Sequence, residues 1–302
     1  MNTDIYVKVV SDTHSSDAMR RDLDTVVGMF REFASRFSRF DPQSELSLFN
    51  ASENTKVSET LFNLLTRCKA YFRDTGGIFH PGILPALVAA GYNTSFSSDR
   101  SLSSSVPSQC PLPPSLDTLT LDASTRTARK PLDLKIDLGG IGKGYIVDRV
   151  ADWLSERYPH FLVDAGGDIR VQGGDIVRGW EYWKIDIEHP HTKRLIPELM
   201  LVLENGAVAT SGSLRRRWHT GLDTRHHLID PRTATSAATD LASVTVIRET
   251  AEAAEIYAKT ICILGTSVGL AFAEQKRIPG VFVTTTGDIR YNGFIKPYLQ
   301  RR

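Results

Sequence analysis

The chain has 302 residues, 41% hydrophobic and 24% charged, and its 36 basic and 35 acidic side chains leave a net charge of +1. That balance gives no global field to steer nucleic acid or a membrane surface, so any anion site has to be local. Cys68, Cys110 and Cys262 are odd in number and lack a CxxC spacing, which argues against a disulfide framework or a zinc site.

Residues 4–10 alternate polar and apolar like a strand, and no basic segment followed by an apolar one precedes them, so no secretion signal is read. The expected compartment is the cytoplasm, although a chain trimmed of a leader would read the same way. Residues 16–38 carry Met19, Leu23, Val26, Val27, Phe30, Phe33 and Phe37 near one stripe, which predicts an amphipathic helix. A loop follows through Ser44–Asn50, then a helix from about Ser58 to Thr75 that stops at Gly76-Gly77. Residues 93–115, rich in serine and proline, read as a mobile surface excursion.

Short strands are expected at 118–121, 127–129 and 133–136, and a helix at 143–158. Residues 161–171 read as strand, glycine corner and strand, and further strands are expected at 182–188, 199–204, 206–210 and 242–247. A helix over 251–264 and a strand over 280–284 complete the series. The apolar run 261–273 is short and interrupted by Gly265 and Gly269, so no membrane span is expected. Cys68 and Cys262 fall in apolar helical patterns and are expected to be buried. Helices alternate irregularly with hairpin-like strand pairs, which favours a mixed α+β fold over a doubly wound parallel sheet.

The chemistry concentrates at Asp137-Leu138-Gly139-Gly140-Ile141-Gly142-Lys143-Gly144, an apparent turn into a helix. Glycines let a backbone approach a ligand closely, amides at a helix start attract anions, and Lys143 adds a full charge. The glycine spacing matches neither GxxxxGK[ST] nor GxGxxG, so the run is only a generic phosphate signal. Polar residues are also dense at 75–82, at Ala165–Asp168, at Ala209–Ser213 and at His226–Thr233. Thr210-Ser211-Gly212 lacks the GxSxG elbow of a serine hydrolase and reads as a ligand-orienting or capping pair. His227 in its HxxDP segment has the chemistry of a general base, or of a structural histidine that bonds a turn, while Asp230-Pro231 shapes that turn.

Taken in order, these segments resemble the FAD:protein FMN transferases of the ApbE family over nearly the whole chain, as one domain spanning 1–302. The match begins at Met1-Asn2-Thr3, continues through Phe40-Asp41-Pro42 and ends after the 251–264 helix. The resemblance implies an ApbE-like α+β fold and leaves an internal duplication of strand–helix units open. It implies cleavage of FAD, attachment of FMN through a phosphoester to a threonine or serine of an acceptor protein, and release of AMP. FAD contacts are implied for Met1, Phe40, Ile78, Phe79, His80, Asp137, Lys143 and Ile229. Phe40 also suits a place in the core. No acceptor motif of the form Asp-x-x-(Ser/Thr)-Gly-Ala-(Thr/Ser) occurs in the chain, so the acceptor is expected to be another protein.

Magnesium is the metal the resemblance implies, held by a backbone carbonyl at Gly140 and by an aspartate and a threonine four residues apart. Here Glu255 and Lys259 occupy those two places. An ammonium has no lone pair to ligate a metal, and Thr260 is turned about 140° from the Glu255 face. The pair also reads as a simple i, i+4 ion pair. His80 and Gly82 depart from the family's Phe-Asp-Pro-Thr segment and place a potentially cationic group where a carboxylate is usual. Intact Asp137, Lys143 and His227 favour a transferase; the departures leave open a flavin-binding homologue without transfer, or an FAD pyrophosphatase.

Overall fold

The computed structural model describes residues 3–11, 14–92, 110–214, 217–220 and 223–300. The described residues cluster in two compact units. The first comprises the described parts of Phe33–Gly140 and Arg215–Ala238, and the second those of Thr3–Glu32, Ile141–Leu214 and Thr239–Arg302. The expected Ser/Pro-rich excursion lies, but for residues 110–115, outside the described residues.

The second unit is built on one antiparallel sheet. Its strand order is Ile5–Val10, His160–Ala165, Asp168–Gln172, Asn205–Gly212, Leu241–Arg248, Gly280–Thr284 and Ile289–Tyr291. The interior strand Leu241–Arg248 is buried at every position but its last, as expected where both sheet faces are covered. The Gly142–Ser155 and Ala251–Gln275 helices pack on the sheet. Val10, Val171, Val208, Ile247 and Val283 form a core with Trp183, Ile185, Leu201 and Leu203 of a short hairpin. Gly166 and Gly167, at φ +67° and +95°, make the two-residue turn that leads straight into Asp168.

The last helix runs past its expected end, to Gln275, but breaks at Gly265, where φ is +75° and ψ 178°. Asp240 accepts the Thr266 amide at 2.7 Å and so restarts the helix beyond the break. The segment is apolar and long enough to cross a membrane by composition alone. Ala254, Ala258, Ile261 and Cys262 are nevertheless fully buried within the fold, which makes it a core helix.

The first unit holds the Glu59–Asp74 helix, capped by Ser58 and ended by Gly76 and Gly77 at φ +59° and +83°. The stretch read as a loop at Ser44–Asn50 contains a helix, Glu45–Asn50, because the Ser44 hydroxyl accepts the Ser47 amide. Asn54–Lys56, Thr120–Asp122 and Thr127–Arg129 form a small antiparallel sheet. The strand expected at 133–136 does not form. The Asn50 side chain donates to the Ile136 carbonyl at 2.8 Å and accepts its amide at 2.7 Å, so at Ile136 a side-chain amide takes the place of a neighbouring strand. Cys68 and Cys262 are buried, and none of the three cysteines is in a disulfide.

Candidate functional site

In the second unit, Lys143 sits in the first turn of the Gly142–Ser155 helix and Glu255 in the second turn of Ala251–Gln275. Close approach of the helices depends on Gly144. A Cβ there would lie 2.5 Å from the Glu252 Cα and 2.6 Å from the Ala251 carbonyl. With that space free, Glu255 Oε2 accepts the Gly144 amide at 3.0 Å and Oε1 lies 3.0 Å from the Lys143 ammonium. Lys143 also bonds Asp168, and Lys259 Nζ lies 3.7 Å from Glu255 Oε1. In return Asp148 accepts the Ala251 and Glu252 amides at 2.8 and 2.9 Å, capping the second helix.

The order of burial fixes the electrostatics. The Asp168 and Glu255 side chains are each 3% exposed, whereas those of Lys143 and Lys259 are 20% and 16% exposed. Burial alone would lower the Lys143 pKa, but Asp168 and Glu255 outweigh it and raise it. Burial pushes the Asp168 carboxyl up against the pull of Lys143. Burial also opposes ionisation of Glu255, yet Lys143, Lys259 and the Gly144 amide prevail and hold its pKa below the ordinary carboxylate value. The cluster is a pair of buried carboxylates under two more exposed ammonium groups.

Magnesium does not fit the side chains of this cluster. It takes oxygen ligands at about 2.0–2.1 Å in near-octahedral geometry. Both oxygens of Glu255 are already committed to donors, and Lys259 offers no lone pair. Thr260 is fully buried, on another side of the helix. Among the described residues no group of three or more His, Cys, Asp or Glu side chains could hold a metal.

In the first unit, Arg39 organises a second polar and aromatic cluster. Its guanidinium lies 4.3 Å from the Phe40 ring centre and 4.6 Å from that of Tyr92, and it bonds Asp137 Oδ2 at 2.9 Å and the Tyr92 carbonyl at 2.7 Å. Tyr92 in turn stands 5.6 Å from Trp218. Phe40 is 41% exposed, so it is not a core residue. Asp137 accepts the Gly139 amide at 2.8 Å through its other oxygen and thereby sets the glycine turn that contains Gly140.

Ile78, Phe79 and His80 are buried, with Phe79 against Tyr71 and His80 against Phe72. His80 Nδ1 accepts the Gly82 amide at 3.0 Å, and burial lowers its pKa to about 4 despite a bond to the Pro114 backbone. The positive charge anticipated at His80 is therefore absent near neutral pH. A Cβ at Gly82 would meet the end of the Leu134 side chain at 2.6 Å, so a larger residue there would have to displace it.

Ile229 is buried against Leu87, Ala90 and Trp218. His227 is half-buried on the link between the Asp223–His226 and Ile229–Asp230 strands. Asp230 shapes the turn beyond it: its carbonyl accepts the Ala234 amide at 2.8 Å and its carboxylate pairs with Arg232 at 2.7 Å. Thr210 bonds Thr245 on the neighbouring strand at 2.8 Å. Met1 lies outside the described residues.

The structure thus joins Lys143, Glu255 and Lys259 in one unit, and Phe40 with Asp137 in the other. Sequence reading missed Arg39, Tyr92 and Trp218, and noticed Asp168 only as part of a polar corner. Aromatic residues spread through residues 40–218 were the available signal, but their meeting depends on tertiary contacts.

The fold is mixed α/β, with two partly exposed lysines over buried carboxylates in one unit and an exposed Phe40 ring beside Arg39 in the other. The ApbE family model matches residues 1–282, and the chain belongs to that family. Among curated relatives, the FAD:protein FMN transferase of Vibrio cholerae is 28% identical over all of this chain and 91% of its own length. That of Haemophilus influenzae is 26% identical over 98% of this chain and 86% of its own. The crystal structure of the ApbE protein from Thermotoga maritima superposes with a TM-score of 0.87 at 25% identity, covering 99% of this chain and 96% of that one. The flavin transferase ApbE from Vibrio cholerae gives 0.79 at 25% identity, with 99% and 96% covered.

Proposed function

We propose that this protein is an FAD:protein FMN transferase: it cleaves FAD and attaches the FMN half to a serine or threonine of an acceptor protein. The observation that carries this reading is the Lys143 ammonium, held by Asp168 and Glu255 at the start of a helix in a chain of the ApbE family. A diphosphate ester resists attack because its charge repels a nucleophile, and fixed cations and helix amides relieve that repulsion.

In the reaction, the acceptor hydroxyl oxygen forms a bond to the FMN phosphorus as the bond from that phosphorus to the bridging oxygen breaks, and AMP leaves. Lys143 screens the charge on the diphosphate. His227 takes the hydroxyl proton; an imidazole titrates near neutral pH and suits that role. Phe40, with Arg39 behind it, offers a face on which a flavin or adenine ring stacks. No step is assigned to a metal ion.

The test is incubation with FAD and an acceptor bearing Asp-x-x-(Ser/Thr)-Gly-Ala-(Thr/Ser), with acceptor mass and AMP followed together. A gain of one FMN on the acceptor with matching AMP is the expected result. AMP formed without acceptor modification would make the protein a pyrophosphatase, and FAD returned unchanged would leave it a binding protein.

A further inference from the structure

We propose that Lys259 is the resident cation of the Glu255 cluster, so that a bound diphosphate is met by the ammonium groups of Lys143 and Lys259 without a divalent metal ion. The inference rests on the flavin-transferase reading for the identity of the diphosphate, and on the geometry of one unit for everything else.

A metal site shows carboxylate oxygens to the ion, whereas this cluster hides them. Asp168 and Glu255 are 3% exposed, and the more accessible groups are the two lysines at 20% and 16%. Two ammonium groups balance two carboxylates, which removes the net negative charge that attracts a dication. The same outward positive layer suits an anion, since an ammonium presents three donors and no acceptor. Lys259 stands one helical turn beyond Glu255, so its charge is anchored by the carboxylate it faces, at 3.7 Å.

No neighbouring residue restores a metal ligand. Thr260 is wholly buried, and the second oxygen of Glu255 is held by the Gly144 amide at 3.0 Å. The cluster is also tied into the fold at both ends. Gly144 has no room for a side chain, and Asp148 caps the helix that carries Glu255 and Lys259. A shift wide enough to open a cavity for a hydrated metal would break these contacts together.

The experiment is a manganese titration read by electron paramagnetic resonance, on the full-length protein with and without FAD, beside FAD binding measured with and without EDTA. The wild-type protein is expected to leave the free-manganese signal unreduced and to bind FAD equally with EDTA. Lys259→Thr, its folding checked by circular dichroism, is expected to bind manganese at least about tenfold more tightly than wild type. It should also need the metal to bind FAD.

Stoichiometric manganese binding by the wild type, or FAD binding lost on adding EDTA, would overturn the proposal without reference to any variant. The transferase reading fails separately. If FAD binds without metal but no FMN reaches the acceptor, the transferase assignment falls and the role of Lys259 stands. If no FAD binds at all, that assignment also fails, and the manganese titration of the FAD-free protein still tests Lys259.

Discussion

Glu255 accepts the backbone amide of Gly144 at 3.0 Å, and this bond, together with the Asp148 cap, ties the helix that starts at the glycine-rich turn to the helix that carries Lys259. The bond requires a bare Cα at position 144. Gly144→Ala would drive a Cβ to within 2.6 Å of Ala251 backbone atoms, which cannot swing aside as a side-chain tip would. The variant is expected to lose about 1–3 kcal/mol or more, the usual cost of overpacking. Urea denaturation monitored by circular dichroism measures it, and a loss below ~0.5 kcal/mol would show that the two helices separate easily.

Lys143 neutralises two carboxylates that are 3% exposed. Lys143→Met leaves Asp168 and Glu255 buried without their main counter-charge, an arrangement that typically costs about 3–5 kcal/mol. Both carboxyl pKa values then rise in the folded state above their unfolded values. The stability they contribute is therefore present at acid pH and lost as pH rises. The gap between variant and wild type should be smaller in acid than at neutral pH; a gap independent of pH would mean that packing of the lysine stem, and not its charge, was lost.

The elements that could be read from the sequence were those whose ends are marked locally. Ser58 and Gly76 bracket the Glu59–Asp74 helix, and Gly166-Gly167 turns the chain between two strands. Residues 133–136 misled because their strand-like pattern is genuine, yet the partner that takes the backbone bonds of Ile136 is the Asn50 side chain. The same limit applies to the site. Lys143 stands out beside its glycines, but Arg39 acquires its role only by meeting Tyr92 and Asp137, which lie far along the chain. The neutral state of His80 likewise depends on burial, which residue type alone does not reveal.

Phe40 is 41% exposed, and its ring rests on Arg39 without filling the core. Phe40→Ala is expected to change stability by less than ~0.5 kcal/mol. Loss of a stacking face for a flavin or adenine ring costs about 1–3 kcal/mol, so the Kd for FAD should rise at least about fivefold. Flavin fluorescence titration reads the change, and an unaltered Kd would remove Phe40 from the binding surface.

His227 is half-buried beside the Asp230 turn. If it removes the acceptor proton, His227→Ala should retain FAD affinity while the transfer rate falls by about 10²–10⁴-fold. A variant that loses FAD binding in proportion to rate would instead assign His227 to positioning.

Asp148 is subject to opposed influences. Burial pushes its carboxyl up, to about 6 from 3.8, while the Ala251 and Glu252 amides at 2.8 and 2.9 Å pull it down. Because the folded value is the higher one, its proton-linked contribution to stability is complete below 3.8 and is lost as pH rises through about 6. Asp148→Asn has no titrating group there and keeps only one acceptor for the two amides, a capping loss of about 1 kcal/mol. The stability advantage of wild type over Asp148→Asn should therefore be larger near pH 4 than near pH 7, measured by urea denaturation across that range. An advantage that grows with pH would show that the two amides outweigh burial and that the carboxylate form is the one the folded chain prefers.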